Sequence, residues 1–270
     1  MSSTGQRLPV PSDTPVEVVD IDLAEPGRFS PPGSHERIRP QSRVFALVRL
    51  RGRPLGMVGG KGAAPAELWQ TLADAARREL EVPLARSSPR TPSAGPVSGG
   101  GAGNAPDISV VIATHNRCEL LRRCLDSLLR MEYPGSAFEV IVVDNAPADD
   151  AAEQLVREAY SPRVRYVREP VAGLARARNR GLTAARGGIV AFTDDDTLVD
   201  SRWLSALAEA FSGNQAIGCV TGLIAPAELQ TEAQAVLERH NGFGKGYDTR
   251  TWSLDDPPED PLFPFTAGQF

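Results

Sequence analysis

The chain has 270 residues, of which 41% are hydrophobic and 23% are charged, and its formal net charge is −5. This composition supports a soluble core and one large or two modest domains, while the acidic balance argues against a nucleic-acid-binding protein. Three cysteines are more typical of a reducing cytoplasm than of a disulfide scaffold. No apolar run approaches the roughly 18 residues of a membrane-spanning helix, so we expect a cytoplasmic protein, and peripheral contact with the inner face of the membrane stays open.

Residues 1–85 predict a small N-terminal α+β module with disordered ends. Val16–Leu23 alternates loosely, and Arg43–Leu50 has a strong strand pattern that Leu55–Val58 extends into a hairpin. Regularly spaced apolar residues along Pro65–Leu80 predict a helix. We find no chemistry-bearing motif in this module.

Residues 86–107 are dominated by Pro, Gly and Ser, which predicts a flexible linker before a second domain over 108–270. In that domain strands and helices alternate, which indicates βαβ units and a mostly parallel sheet. The predicted strands are Ile108–Ala113, Phe138–Val143, Val164–Val167, Ile189–Thr193 and Ala216–Ile224. The predicted helices are Glu119–Met131, Asp149–Tyr160, Leu174–Ala185 and Ser201–Phe211.

Three consecutive carboxylates, Asp194, Asp195 and Asp196, follow the apolar strand Ile189–Thr193 directly. Like charges at a strand end must stay solvated or meet a cation, and Mg²⁺ is held in proteins by one or two carboxylates together with phosphate oxygens. The carboxyl ends of strands are also where open α/β sheets bind ligands. The alternative is a solvent-exposed acidic turn that caps the next helix.

Polar residues also follow the first two strands of this domain. Thr114, Asn116 and Arg117 lie at a strand-to-helix turn, where free backbone amides suit a phosphate or a nucleobase. Asp144 closes the second strand and is able to accept a hydrogen bond from a base N–H or a ribose hydroxyl. Helix capping and turn formation are the alternatives for these residues. No Gly-x-Gly-x-x-Gly or Gly-Lys-Ser/Thr motif follows the first strand, which disfavours a dinucleotide fold.

Arginines are concentrated at the start of the third predicted helix, at positions 176, 178 and 180. Arginine binds phosphate through a bidentate fork, whereas a solvated basic helix face is the ordinary alternative. The neighbouring Gly173 and Asn179 favour a helix start that faces a ligand.

Four stretches resemble the inverting family 2 glycosyltransferases of GT-A fold in their order and spacing: Ile108–Arg117, Glu139–Asn145, Gly173–Gly181 and Ile189–Asp196. The resemblance implies an α/β domain with a Rossmann-like, mostly parallel sheet and flanking helices, preceded here by the small α+β module. That module and the linker lie outside the family's core and look like an extension found in actinobacterial members.

The resemblance also implies a role for each site residue. The donor, a nucleotide-diphospho-sugar, would contact Thr114, Asn116, Arg117, Asp144, Arg178, Asn179, Asp194 and Asp195. Mg²⁺ or Mn²⁺ would be held by Asp196 and Asp194 and would neutralise the leaving diphosphate. The acceptor would be a saccharide, a lipid-linked molecule or a natural product.

A general base must also take the proton of the acceptor hydroxyl, and the resemblance implies that it lies beyond Phe270, in a chain that looks truncated. The alternative is therefore a catalytically inactive or truncated module that binds nucleotide sugars. A GT-A-like nucleotidyltransferase ranks last, because no Gly-rich, basic phosphate loop follows the first strand.

Overall fold

The computed structural model describes residues 14–41, 43–80, 105–213, 216–241 and Tyr247. The elements in chain order are β1 (Glu17–Asp22), β2 (Arg43–Leu50), β3 (Arg53–Lys61), α1 (Pro65–Glu79), β4 (Ile108–Thr114), α2 (Cys118–Leu128), β5 (Phe138–Asn145), α3 (Ala151–Leu155, continued by a π-helical turn over Val156–Tyr160), β6 (Val164–Glu169), α4 (Leu174–Ala184), β7 (Ile189–Asp194), α5 (Trp203–Gly213) and α6 (Glu232–Asn241). No helix in these ranges is long and apolar enough to cross a membrane.

The chain divides into two compact units, with a boundary between Thr221 and Gly222. We call residues 105–221 the parallel-sheet unit. The N-terminal unit contains residues 14–80 together with 222–241 and Tyr247. The division of 1–85, 86–107 and 108–270 predicted from the sequence differs from these units after Thr221. The linker lies almost wholly outside the described residues, as do the ends of the N-terminal module.

The N-terminal unit is built on a three-stranded sheet in the order β1-β2-β3. As predicted, β2 and β3 form an antiparallel hairpin, and β1 is parallel to β2. The helix α1 covers one face of this sheet through Leu68, Leu72 and neighbouring alanines.

The second face of the N-terminal sheet is covered by residues that are distant in sequence. Leu229 and Ala235 pack there against Phe45 and Met57, and all four side chains are buried. The Val16 amide donates to the Leu229 carbonyl at 2.9 Å. Helix α6, which carries Ala235, was not predicted, although Thr231 and Gln234 form a capping box at its start: the Thr231 amide donates to Gln234 Oε1 at 2.9 Å, and the Gln234 amide donates to Thr231 Oγ1 at 3.2 Å.

The parallel-sheet unit has strand order β6-β5-β4-β7, and all its described pairings are parallel. Helices α2, α3 and α5 cover one face, where Leu121, Leu155 and Leu204 are buried against the strands. Helix α4 covers the other face, where Ala177 meets Val111. The chain moves from β4 to β5 and β6 on one side and then returns to β7 on the other. A reversal of this kind opens a ligand-binding crevice at the carboxyl ends of the two strands between which it occurs, β4 and β7.

The strand predicted over Ala216–Ile224 is wrong. Residues 216–224 pair with no described strand, and Leu223 is 38% exposed. Gly218 and Gly222 interrupt the segment and provide no side chain to pack. The cross-strand contacts that stabilise a sheet are therefore missing.

Helix α4 lies unusually close to the sheet at Gly181, which lets us predict a stability effect. A Cβ atom on this glycine would lie 2.2 Å from Val111 Cγ1 and 3.3 Å from Val111 Cβ. Valine is stiff at χ1, so the helix or the strand must shift. We expect Gly181→Ala to lower the free energy of unfolding by about 1–3 kcal/mol in urea denaturation, despite the better helix propensity of alanine. Gly135→Ala is the control, because nothing lies within 4 Å of its Cβ position, and equal stability of the two variants would contradict the prediction.

Candidate functional site

The parallel sheet brings the predicted polar residues to one edge. Thr114 is in register with Asp144, and Ala113 is in register with Asp194, so β4 lies between the two carboxylates at its carboxyl end. Thr114 and Asp144 are 3% and 1% exposed. Two buried polar side chains at the crevice where the strand order reverses mark this edge as the candidate functional site.

Asp195 is the buried centre of the acidic triplet, with a side chain that is 2% exposed. Its Oδ2 accepts from Thr114 Oγ1 at 2.7 Å, and its Oδ1 accepts from Arg117 Nη2 at 2.5 Å. Burial raises the pKa of Asp195 above its ordinary value, while the Thr114 and Arg117 contacts act in the opposite direction. A buried carboxylate held from two sides ties the end of β7 to the turn after β4.

The other two carboxylates of the triplet face solvent. The side chains of Asp194 and Asp196 are 38% and 47% exposed. Arg178 Nη2 donates to Asp194 Oδ1 at 3.1 Å, and Arg117 Nη1 donates to Asp196 Oδ2 at 3.2 Å. The triplet does not cap the next helix, because α5 begins only at Trp203.

Asp144 has an unsatisfied oxygen. Its Oδ2 accepts from the Tyr166 hydroxyl at 2.9 Å, while its Oδ1 is buried without a hydrogen-bond partner among the described residues. Burial raises the pKa of Asp144, and the Tyr166 hydrogen bond and the charge of Arg168 oppose that rise. An unpaired buried acceptor costs about 1–3 kcal/mol and calls for an explanation. A ligand that donates a hydrogen bond to Oδ1 provides one.

The turn after β4 is held by side-chain contacts that are not helix caps. Asn116 adopts a positive φ of 54°, and its Oδ1 accepts from the Ala148 amide at 3.0 Å. The Thr114 hydroxyl donates a hydrogen bond to Asp195, and no side chain caps the start of α2. The capping alternative is therefore wrong for both Thr114 and Asn116, which instead connect this turn with its neighbours.

The arginine-rich helix α4 directs one guanidinium at the triplet. Arg178 is half-buried and reaches Asp194, whereas Arg176 and Arg180 are exposed. Asn179 is also exposed on α4, and its backbone carbonyl accepts from Thr183 Oγ1 at 3.0 Å. Its side chain makes no hydrogen bond to the carboxylates of the described site, and its role in donor binding stays a prediction.

The chemistry of the acidic triplet fits a divalent cation in part. No group of three or more His, Cys, Asp or Glu side chains in the described ranges is arranged to hold a metal ion. Mg²⁺ and Mn²⁺ sites that serve phosphate transfer need only one or two protein carboxylates, because substrate phosphates complete the coordination. The exposed oxygens of Asp194 and Asp196 meet that smaller requirement.

Two residues of this edge were missed from the sequence. Tyr166 supports Asp144, and the side chain of Asn145 is buried beside it. A tyrosine within the strand Val164–Glu169 looks like ordinary core, and only the pairing of β5 with β6, which sets Tyr166 opposite Val142, brings its hydroxyl to Asp144 two residues further along β5. No local sequence signal identifies it.

Residues 109–257 match the family model described as Glycosyl transferase family 2. The match covers more than half of the chain, and the chain therefore belongs to glycosyl transferase family 2. Together with a parallel sheet covered by helices on both faces, this membership confirms the predicted α/β fold of GT-A type.

Several glycosyltransferases are similar to part of this chain. Glycosyltransferase AglE of Haloferax volcanii is 32% identical over 40% of this chain and 36% of its own length. The uncharacterised glycosyltransferase EpsJ of Bacillus subtilis is 34% identical over 42% and 33%, respectively. Validoxylamine A glucosyltransferase of Streptomyces hygroscopicus subsp. jinggangensis is 31% identical over 46% and 31%. The matched part of the chain thus spans about a third of the length of these relatives.

Solved structures are similar over a comparable stretch. The mannosyltransferase PcManGT from Pyrobaculum calidifontis, in complex with GDP-Man and Mn²⁺, is 26% identical with a TM-score of 0.39, over 46% of this chain and 37% of that one. S. aureus TarS 1-349 in complex with UDP-GlcNAc is 23% identical with a TM-score of 0.38, over 44% and 37%.

Proposed function

We propose that this chain transfers a sugar from a nucleotide-diphospho-sugar to an acceptor hydroxyl, with inversion and with the help of Mg²⁺ or Mn²⁺. The observation that carries the proposal is the unsatisfied Asp144 Oδ1 at the crevice that also holds the Thr114–Asp195–Arg117 contacts. Membership of glycosyl transferase family 2 supports the same class of reaction.

Asp144 binds the nucleobase in this proposal. A carboxylate oxygen accepts hydrogen bonds only, so its partner on the ligand must be an N–H or O–H group. Uracil and guanine present a ring N–H, whereas cytosine and adenine offer an exocyclic amino group beside a ring nitrogen whose lone pair would repel the carboxylate. Tyr166 orients the carboxylate from its other oxygen. Uridine and guanosine diphosphates therefore fit this position better than the cytidine and adenosine compounds.

The diphosphate lies against Arg117 and Arg178, with Thr114 and Asn116 shaping the turn beside it. Asp195 fixes Arg117 from the buried side. Asp194 and Asp196 would hold the cation, which would supply Lewis-acid neutralisation of charge on the leaving diphosphate. Because Arg117 and Arg178 now pair with these carboxylates, donor binding exchanges part of this pairing for contacts with phosphate.

The transfer step forms one bond and breaks one bond at the anomeric carbon. The acceptor oxygen attacks the face opposite the diphosphate, the bond from the anomeric carbon to the phosphate oxygen breaks, and a general base takes the hydroxyl proton. A relative that is a validoxylamine A glucosyltransferase supports a hexose donor and a natural-product acceptor. Saccharide and lipid-linked acceptors fit the same chemistry.

We also propose that the protein works in the cytoplasm and touches the membrane only peripherally, where a lipid-linked acceptor would be met. The three cysteines, Cys118, Cys124 and Cys219, are all free, as is typical of a reducing compartment.

A second candidate function, donor binding without turnover, is favoured by one specific observation. Each carboxylate of the triplet is already paired with an arginine. A site that keeps these pairs would bind a nucleotide without assembling a reactive complex. Hydrolysis or transfer of a radiolabelled donor separates the candidates, since only the enzyme releases free sugar or a glycosylated product.

The metal requirement is tested by titrating the protein with uridine or guanosine diphosphate, with and without Mn²⁺, in a calorimeter. We expect Mn²⁺ to strengthen nucleotide binding at least about tenfold, and Asp196→Ala to remove most of that gain. The matched control is Asp74→Ala, because Asp74 is also 47% exposed and also pairs with an arginine, but on α1. Binding that is indifferent to Mn²⁺, or equal in the two variants, would contradict the metal role of the triplet.

A further inference from the structure

The side chain of Asn145 holds the loop that leads from β6 into α4. Asn145 is 8% exposed at the carboxyl end of β5. Its Nδ2 donates to the Val171 carbonyl at 2.8 Å, and its Oδ1 accepts from the Gly173 amide at 2.8 Å. Both hydrogen-bonding ends of one buried carboxamide are therefore used on a single short loop.

This loop sets where α4 begins. Gly173 has φ +141°, a conformation that residues with a side chain rarely adopt. Its carbonyl accepts the first hydrogen bond of the helix, from the Ala177 amide at 3.0 Å. One residue further along the helix, Arg178 reaches Asp194 at 3.1 Å. The position of the Arg178 guanidinium thus depends on how the loop is held.

We propose that Asn145 is a positioning residue of the donor site, acting through Arg178. Its carboxamide fixes the loop 171–173, the loop fixes the first turn of α4, and that turn places Arg178 beside the acidic triplet. The inference rests on the proposed donor site for its functional consequence. The loop geometry itself stands on the hydrogen bonds of Asn145.

The opposite end of α4 provides a matched control. Ser109 is fully buried at the amino end of β4, and its Oγ accepts from the amides of Arg186 and Gly187 at 3.1 and 2.8 Å. Ser109 therefore holds the chain after α4 as Asn145 holds the chain before it. A change at Ser109 should cost stability without moving Arg178, which lies near the carboxyl edge.

The contacts of Asn145 also permit a test with two variants. Asn145→Ala removes both loop hydrogen bonds, whereas Asn145→Asp keeps an acceptor for the Gly173 amide but turns the contact with the Val171 carbonyl into a repulsion between two acceptors. The hydrogen bond between His115 Nδ1 and the Asn145 carbonyl, at 2.6 Å, uses the backbone and is spared in both variants.

The experiment measures binding of uridine or guanosine diphosphate with Mn²⁺ in the full chain. We expect Asn145→Ala to weaken binding about tenfold and Asn145→Asp to weaken it at least as much, because its carboxylate oxygen would face the Val171 carbonyl oxygen. We expect Ser109→Ala to lower the thermal midpoint but to leave the dissociation constant within about twofold of the wild type. Because Asn145 acts through Arg178, the double variant Asn145→Ala/Arg178→Ala should bind no more weakly than Arg178→Ala alone.

Amide hydrogen exchange without nucleotide tests the positioning of the loop by Asn145 separately from its effect on donor affinity. We expect Asn145→Ala to speed exchange at Gly173 and in the first turn of α4, and Ser109→Ala to leave these amides unchanged. Unchanged exchange in Asn145→Ala would overturn the positioning role, as would full additivity with Arg178→Ala in the binding assay. Absence of nucleotide binding by the wild type would instead overturn the proposed function and, with it, the effect on donor affinity.

Discussion

Asp195→Ala is expected to destabilise the protein and to remove donor binding at the same time. The substitution leaves Thr114 Oγ1 without its buried acceptor and removes the partner that holds the Arg117 side chain. Losing a buried charged acceptor costs about 1–3 kcal/mol of unfolding free energy. We expect Asp195→Ala to lose an amount in the lower part of that range, because Arg117 is 46% exposed and its charge is screened by solvent.

Urea denaturation and nucleotide titration of Asp195→Ala measure these two effects separately. The matched control is Asp20→Ala, since Asp20 is also buried and accepts from Arg49 at 2.9 Å, but in the N-terminal unit. The control should lose stability and retain its affinity for nucleoside diphosphate. If Asp195→Ala binds the nucleotide as tightly as Asp20→Ala does, Asp195 serves only the stability of the fold.

Asp144→Asn should weaken donor binding about 10- to 100-fold, because a charge-assisted hydrogen bond to the nucleobase is lost. Tyr166→Phe should have a smaller effect in the same direction, since it frees the oxygen that Tyr166 now orients. Tyr160→Phe is its control, because the Tyr160 hydroxyl donates at 2.8 Å to a different carboxylate, Asp126. Equal nucleotide affinity in Asp144→Asn and the wild type would contradict the assignment of Asp144 to the base.

The pH dependence of stability gives an independent test of Asp144. Burial raises the pKa of Asp144 above its ordinary value of 3.8 in the folded protein. The native state then binds the proton more tightly than the unfolded chain does. The contribution of Asp144 to the free energy of unfolding is therefore fully present below pH 3.8, and it is lost as the pH rises through the raised pKa. Asp144→Asn cannot titrate, so its unfolding free energy should improve relative to the wild type between acidic and neutral pH. A constant difference would contradict the raised pKa.

The strands of the parallel sheet could be predicted because each is a short apolar run bounded by turn residues, and Ile108–Ala113 differs from the observed β4 by a single residue. The meeting of Thr114 with Asp195 also follows from general rules, since parallel strands place their carboxyl ends at one edge. Sequence periodicity therefore located the sheet and the edge that carries the candidate functional site.

Long-range packing was not accessible from sequence patterns. The covering of the N-terminal sheet by Leu229 and Ala235 depends on contacts between residues that are distant along the chain. The predicted strand over Ala216–Ile224 failed for the same reason, because a strand needs a neighbour and periodicity does not say whether one is present. The support of Asp144 by Tyr166 likewise requires the pairing of β5 with β6.

We expect a nucleotide-diphospho-sugar to bind at the carboxyl edge of the parallel sheet, and amide hydrogen exchange can locate it there. The wild-type protein is compared with and without a uridine or guanosine diphosphate sugar in the presence of Mn²⁺. We expect slower exchange at residues 114–117, 144–146 and 194–197, which lie at the carboxyl ends of β4, β5 and β7. We expect no change at the amino edge, around 107–109 and 186–189. Protection confined to the amino edge or to the N-terminal unit would contradict binding at the carboxyl edge.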